Sequence, residues 1–252
     1  MTDMRSVRAI RYVTPLREGG SLPGLFEADD DGMYVVKFHG AGQGPRVLVA
    51  EWLAGEIARA LGLDVPDIVA VELAKAIGDP EPDPEIHDLL VGSAGRNLGL
   101  DFLPGALTFN PAVDRVADAE WAANVVWLDG LVTNPDRSPK NPNLLTWGGR
   151  VWLIDHGAAL YLQHQGLDPA RDATRPFALI AEHVLLPAAS SITQAHERLG
   201  SRVDRDLLTR VAGLVPTDWL QSTDPETYVD YLERRVRDGA FAEEAERARA
   251  GT

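Results

Sequence analysis

The sequence predicts an α+β fold in two parts, a small β-rich N-terminal lobe (1–103) and a larger helical C-terminal lobe (104–252), with a cleft between them. Three observations carry this reading. Short runs of branched and aromatic residues, separated by Gly, Pro and Asp clusters, open the chain as strands and turns do. After Pro111 apolar residues recur mainly at helical spacing. A single hairpin pattern, at residues 144–154, interrupts the helices.

In order along the chain, residues 8–13 and 33–38 read as strands. Residues 47–61 read as a helix, because Leu53, Ile57 and Leu61 fall on one face and Gly62 stands where a C-terminal glycine ends a helix. Residues 68–73 read as a further strand, and the acidic, proline-bearing run 78–88 as an exposed, solvated loop. Helices are expected over 118–131, 177–186, 191–199, 205–215 and 225–236. The tail FAEEAERARAGT reads as a frayed helix or as disordered.

With 252 residues, 45% of them apolar, the chain is long enough and apolar enough to build an enzyme-sized core. A formal charge of −14 argues against nucleic acid as the main partner, since a polyanion is gripped by released counterions and basic surface. A nucleotide is a different matter, because one or two cations, backbone N–H groups and a metal suffice for its phosphates. The absence of cysteine excludes disulfides, thiolate metal sites and a thiol nucleophile. No signal-peptide pattern opens the sequence and no apolar window reaches the length of a membrane span, so the expected compartment is the cytoplasm.

The chemistry concentrates in VTNPDRSPKNPNLLTWGGRVWLIDHGAAL. Gly148-Gly149 suits a two-residue turn, which sets Trp147 opposite Arg150 and, counted outward, Pro142 opposite Asp155. Asn141 and Asp155 then meet at the open end of the hairpin, two hard oxygen ligands suited to Mg²⁺. Asp136, on a loop kept open by Pro135 and Pro139, faces the same space. Phosphoryl transfer needs this arrangement: one acid group orients and deprotonates the attacking hydroxyl while the other holds metal. Lys37 is a lone cation on the apolar strand YVVKF, with Glu51 and Glu56 on the next helix as candidates to orient it. Ahead of that strand, REGGSLPG offers a small-residue loop containing Gly20 and Ser21 whose amides suit phosphate, although it matches neither common glycine-rich pattern in full.

The order YVVKF, helix Glu, DRSPKN, IDHG resembles protein-kinase-like enzymes and looks most like the HipA-like kinases, with a DR-x-x-x-N loop also similar to that of phosphatidylinositol kinases. The resemblance spans nearly the whole chain, including HVLLP and DWL. It implies a protein-kinase-like fold and an ATP- and Mg²⁺-dependent phosphotransferase acting on a hydroxyl, with Ser or Thr of a protein as the expected acceptor. It also implies that Lys37 contacts the α- and β-phosphates, Glu51 pairs with Lys37, Asp136 is the catalytic base, and Asn141 and Asp155 bind the metal. Asp101, Phe102 and Leu103 are the linker residues expected near adenine. The other readings are a small-molecule or lipid-type kinase, a nucleotide-binding pseudokinase acting through a partner, and a metal-dependent hydrolase, which leaves Lys37 unexplained.

This sequence departs from ordinary protein kinases in three places: His156 stands where a Phe is usual, no His precedes Asp136, and no Ala-Pro-Glu element follows. Ser21 is either a turn serine or a site of autophosphorylation. Arg137 and Lys140 either help to neutralise phosphate or pair with neighbouring carboxylates.

Overall fold

A computed structural model describes residues 4–16, 22–114, 116 and 118–251. Its N-terminal part is a closed five-stranded barrel of β1 (Ser6–Pro15), β2 (Gly24–Ala28), β3 (Met33–Lys37), β4 (Ile68–Leu73) and β5 (Gly95–Asp101), in the order β1-β2-β3-β5-β4. Neighbours are antiparallel except where Ser6, Val7 and Arg8 run parallel to Ala70, Val71 and Glu72 and close the barrel. Alternation along β3 sends Tyr34 and Val36 into the barrel core with Phe26, Val69 and Val71. The same alternation turns Val35 and Lys37 outward, so the lysine is delivered to the outer face of the barrel.

Against that face lies α1 (Arg46–Ala60), buried along most of its length. A helix buried nearly all round needs cover on both sides. The barrel gives one side, where a Cβ on Gly55 would come within 2.4 Å of Ile68 Cδ1. The helical part gives the other, where Trp52 Nε1 donates to the Val211 carbonyl at 2.9 Å. Gly62 ends the helix at φ +85°, a conformation glycine adopts without strain.

The helical part is built on α3 (Ala119–Leu131), capped by the Asp118 carboxylate on the amides of Glu120 and Trp121, and buried without interruption from Val125 to Leu131. Short α4 (Pro169–Asp172), α5 (Ile192–Leu199), α6 (Arg205–Ala212), short α7 (Thr217–Leu220), α8 (Pro225–Asp238) and α9 (Ala240–Ala250) complete it. A three-stranded sheet, β6 (Leu107–Thr108), β7 (Leu144–Trp147) and β8 (Arg150–Leu153), sits beside them.

Three expectations are corrected. The run 78–88 is not wholly loop: Asp83 caps the Glu85 amide and Pro84 opens α2 (Pro84–Gly92), whose Ile86 and Leu90 join the barrel core. Residues 177–186 do not form one helix but a 3₁₀ turn, Ala178–Glu182, with a second turn, Leu186–Ala188, after it. His183 is extended and Pro187 follows it, a pairing that a continuous helix does not tolerate. The tail is an ordered helix, α9, which buries Phe241, Ala242 and Ala245.

Candidate active site

Three elements converge on Lys37. Its Nζ donates to Glu51 Oε2 at 2.5 Å and to Asp155 Oδ1 at 2.6 Å. Lys37 and Glu51 are buried, while the Asp155 side chain keeps 40% of its surface open, so one member of the cluster still faces solvent. Burial pushes the Lys37 ammonium down, but the charges of Glu51 and Asp155 outweigh it and hold it above the ordinary lysine range. Burial likewise pushes the Glu51 carboxyl up, and the charge of Lys37 with the contact to His156 overrides it, keeping Glu51 far below the carboxylate range. Both partners are therefore ionised. Glu56, the other candidate on α1, turns to Arg59 at 3.3 Å.

The segment after β8 wraps this pair. Asp155 takes a left-handed φ of +56°, which turns its carboxylate out of the hairpin and onto Lys37. His156 is fully buried, with Nδ1 3.6 Å from Glu51 Oε1. At Gly157 a Cβ would lie 2.6 Å from Val47 Cγ1 and 3.4 Å from Glu51 Oε2, so only glycine lets α1 come this close. Gly157→Ala is expected to cost about 1–3 kcal/mol by overpacking, read as a lower urea midpoint.

Asp136 is half-buried on the loop before β7. Its amide donates to Asn134 Oδ1 at 3.1 Å, and Asn143 Nδ2 donates to its backbone carbonyl at 2.7 Å and to Oδ2 at 3.4 Å. Asn143, which sequence reasoning missed, thus orients the carboxylate. Its signal was present as a second Asn two residues beyond Asn141, but only the fold shows which of the two turns inward. Asn141 lies on an exposed turn closed by reciprocal backbone bonds with Ser138 at 3.1 Å. The hairpin register is Trp147 to Arg150 and Leu144 to Leu153, followed by one bond from Ile154 N–H to the Asn143 carbonyl. Asn143, like Asp155, then takes a positive φ, so the pairing does not extend to Pro142 and Asp155 as strand.

Of the linker residues, Asp101 gives its amide to the Asp67 carbonyl at 2.8 Å and Phe102 to the Met33 carbonyl at 2.9 Å. Leu103 is buried beside them. Gly20 and Ser21 lie outside the described residues. Arg137 is buried against Asp129 at 2.5 Å, which settles its alternatives in favour of a carboxylate partner; Lys140 is exposed.

Lys37 from a strand, Glu51 from the next helix and Asp155 from the end of a hairpin are brought together, with Asp136 on the loop before that hairpin. The sequence pattern of the HipA-like kinases matches residues 10–238. The chain belongs to the HipA-like kinase family. Among solved structures, CtkA, a proinflammatory kinase of Helicobacter pylori, matches with a TM-score of 0.57 at 12% identity over 96% of each chain. The Golgi casein kinase with Mn and ADP bound matches with a TM-score of 0.54 at 13% identity, over 98% of this chain and 73% of its own. These likenesses show a protein-kinase-like fold. No curated protein matches in sequence.

Proposed function

We propose that this kinase transfers the γ-phosphoryl group of ATP to a hydroxyl group, with a Ser or Thr side chain of a protein as acceptor. The observation that carries the reading is Lys37, a buried cation held between Glu51 at 2.5 Å and Asp155 at 2.6 Å. A lysine fixed by two carboxylates from separate parts of the chain is positioned before any ligand arrives, which is how electrostatic catalysis avoids reorganisation during reaction. In this reading Lys37 binds the α- and β-phosphates, Glu51 holds its ammonium in place, and the Leu103 amide and its neighbours Asp101 and Phe102 border the adenine. Gly20 and Ser21, outside the described residues, are assigned in this reading to phosphate contact through their backbone amides. Asp136 accepts the proton of the attacking hydroxyl, with its carboxylate aimed by Asn143.

The residues present suit a magnesium ion. Asp155 is a partly open carboxylate and Asn141 an exposed amide, and Mg²⁺ characteristically takes one or two such oxygens and completes its shell with phosphate and water. When bound, the metal neutralises charge on the transferring phosphate. A protein acceptor is supported by the solved neighbour named for casein. We place the lobe boundary at residues 103 and 104, next to the linker. Among the described residues no helix is long and apolar enough to cross a membrane.

A thermal-shift experiment tests the binding half. Mg²⁺-ATP at 100 times its Kd is expected to stabilise the folded chain by about 2.7 kcal/mol. Asp155→Ala should lose the part of that gain that depends on Mg²⁺. A variant still stabilised by Mg²⁺-ATP as strongly as wild type would remove Asp155 from the metal site.

A further inference from the structure

A second buried cluster lies beneath the loop that carries Asp136. The Asp129 carboxylate, on α3, gathers side chains from three places. Its Oδ1 accepts from Asn134 Nδ2 at 3.0 Å, and its Oδ2 accepts from Arg137 Nε at 2.5 Å and from His183 Nε2 at 2.9 Å. All four side chains are buried. The proton on His183 can be placed from its other nitrogen: the Leu185 amide donates to Nδ1 at 3.1 Å, so the ring is protonated at Nε2 and donates to Asp129. Burial also pushes the His183 pKa below the ordinary value, which keeps the ring neutral. A neutral donor fits here, because Arg137 already balances the Asp129 charge.

Asn134 and Arg137 carry this cluster to the loop of Asp136 and to the hairpin end before Asp155. Asn134 also accepts the Asp136 amide. Arg137 NH1 donates to the Asn143 carbonyl and, at 3.4 Å, to the Ile154 carbonyl, while its own carbonyl accepts the Val184 amide at 2.9 Å. Asn143 is the residue that aims Asp136, and Ile154 precedes Asp155. His183 lies in HVLLP, between the two 3₁₀ turns, and its neighbour Val184 is bonded to the same loop through the Arg137 carbonyl.

We infer that His183 is a positioning residue for phosphoryl transfer: through Asp129 it locks the segment around the two 3₁₀ turns to the catalytic loop and so keeps Asp136 in register with Asp155. The role of Asp136 in this statement rests on the proposed function. The bland alternative is a packed histidine whose loss lowers stability alone.

Two variants separate these readings, because a Gln side chain places an amide N–H near the position of imidazole Nε2 and a Leu places none. In His183→Leu, hydrogen exchange at the Asp136 and Val184 amides should accelerate while barrel amides exchange as in wild type. The kcat for phosphate transfer from ATP should fall by about ten- to a hundredfold, the scale set by small misplacements of catalytic groups, with KM for ATP within about twofold. His183→Gln should recover both. Wild-type exchange and kcat in the Leu variant would overturn the inference, as would acceleration spread over the whole chain that Gln does not repair. If the wild-type protein itself transfers no phosphate, the phosphotransfer reading fails on its own account. The exchange pattern then still decides whether His183 orders the loop.

Discussion

Asp136→Asn is expected to lower phosphate transfer from γ-labelled ATP by about 10²–10⁴-fold, the usual contribution of a positioned general base, while leaving nucleotide binding near wild type. The substitution is nearly isosteric and keeps the local contacts. The Asp136 amide still reaches Asn134 Oδ1, and its carbonyl still accepts from Asn143 Nδ2 at 2.7 Å. The side chain loses its negative charge and with it the ability to take a proton. Lys37, Glu51 and Asp155 form a separate cluster, so the substitution leaves untouched the groups that the proposed function assigns to phosphate and metal. The decisive comparison is wild type and variant incubated with labelled ATP and a lysate that contains potential acceptors. Equal labelling would show that Asp136 is not the base. Loss of ATP-induced stabilisation along with turnover would show instead that the loop had collapsed, and Asn143→Ala, which leaves the carboxylate but removes its guide, would then locate the fault.

The parts of this site that could be read from the sequence are those governed by local periodicity. Lys37 stood out because a cation on an apolar strand demands a partner, and the turn at Gly148-Gly149 set the register from Trp147 and Arg150 to Leu144 and Leu153. What could not be read depended on backbone rotations or on distant packing. Asn143 and Asp155 both leave the ladder with positive φ, so counting residues past its end misplaces them. The strand β5 carries Gly95, Gly99 and Asn97, which read as breaker residues. Yet a Cβ at Gly99 would lie 2.5 Å from Val71 Cγ2, so close packing in the barrel asks for glycine there. α9 has a short apolar stripe that is convincing only beside α3 and α5. Asp129 and His183 are 54 residues apart and carry no shared pattern.

The pair Lys37 and Glu51 should give the protein a stability that declines on both sides of neutrality. The Glu51 carboxyl is held below its ordinary value in the folded chain, and burial opposed by Arg137 and His183 leaves Asp129 depressed too. For both, the unfolded chain takes up protons first as pH falls. Their stabilisation is therefore complete above the ordinary carboxylate range and drains away below about pH 4. Lys37 is raised, so its contribution is complete below the ordinary lysine value and is lost as pH climbs beyond about 10. Glu51→Gln should remove one acid-side step and cost about 1.5–3 kcal/mol at neutral pH, because it takes the fully buried one of the two carboxylates on Lys37 and leaves Asp155 to balance the ammonium. Urea titrations from pH 3 to pH 8, by about one pH unit each, read both effects. A Glu51→Gln variant with wild-type stability and an unchanged acid limb would refute the pairing. Lys37→Met combined with Glu51→Leu sharpens the test, since an apolar pair of similar volume often restores what a broken ion pair loses. If that double variant regains stability but gains nothing from Mg²⁺-ATP, the charges serve the nucleotide rather than the fold.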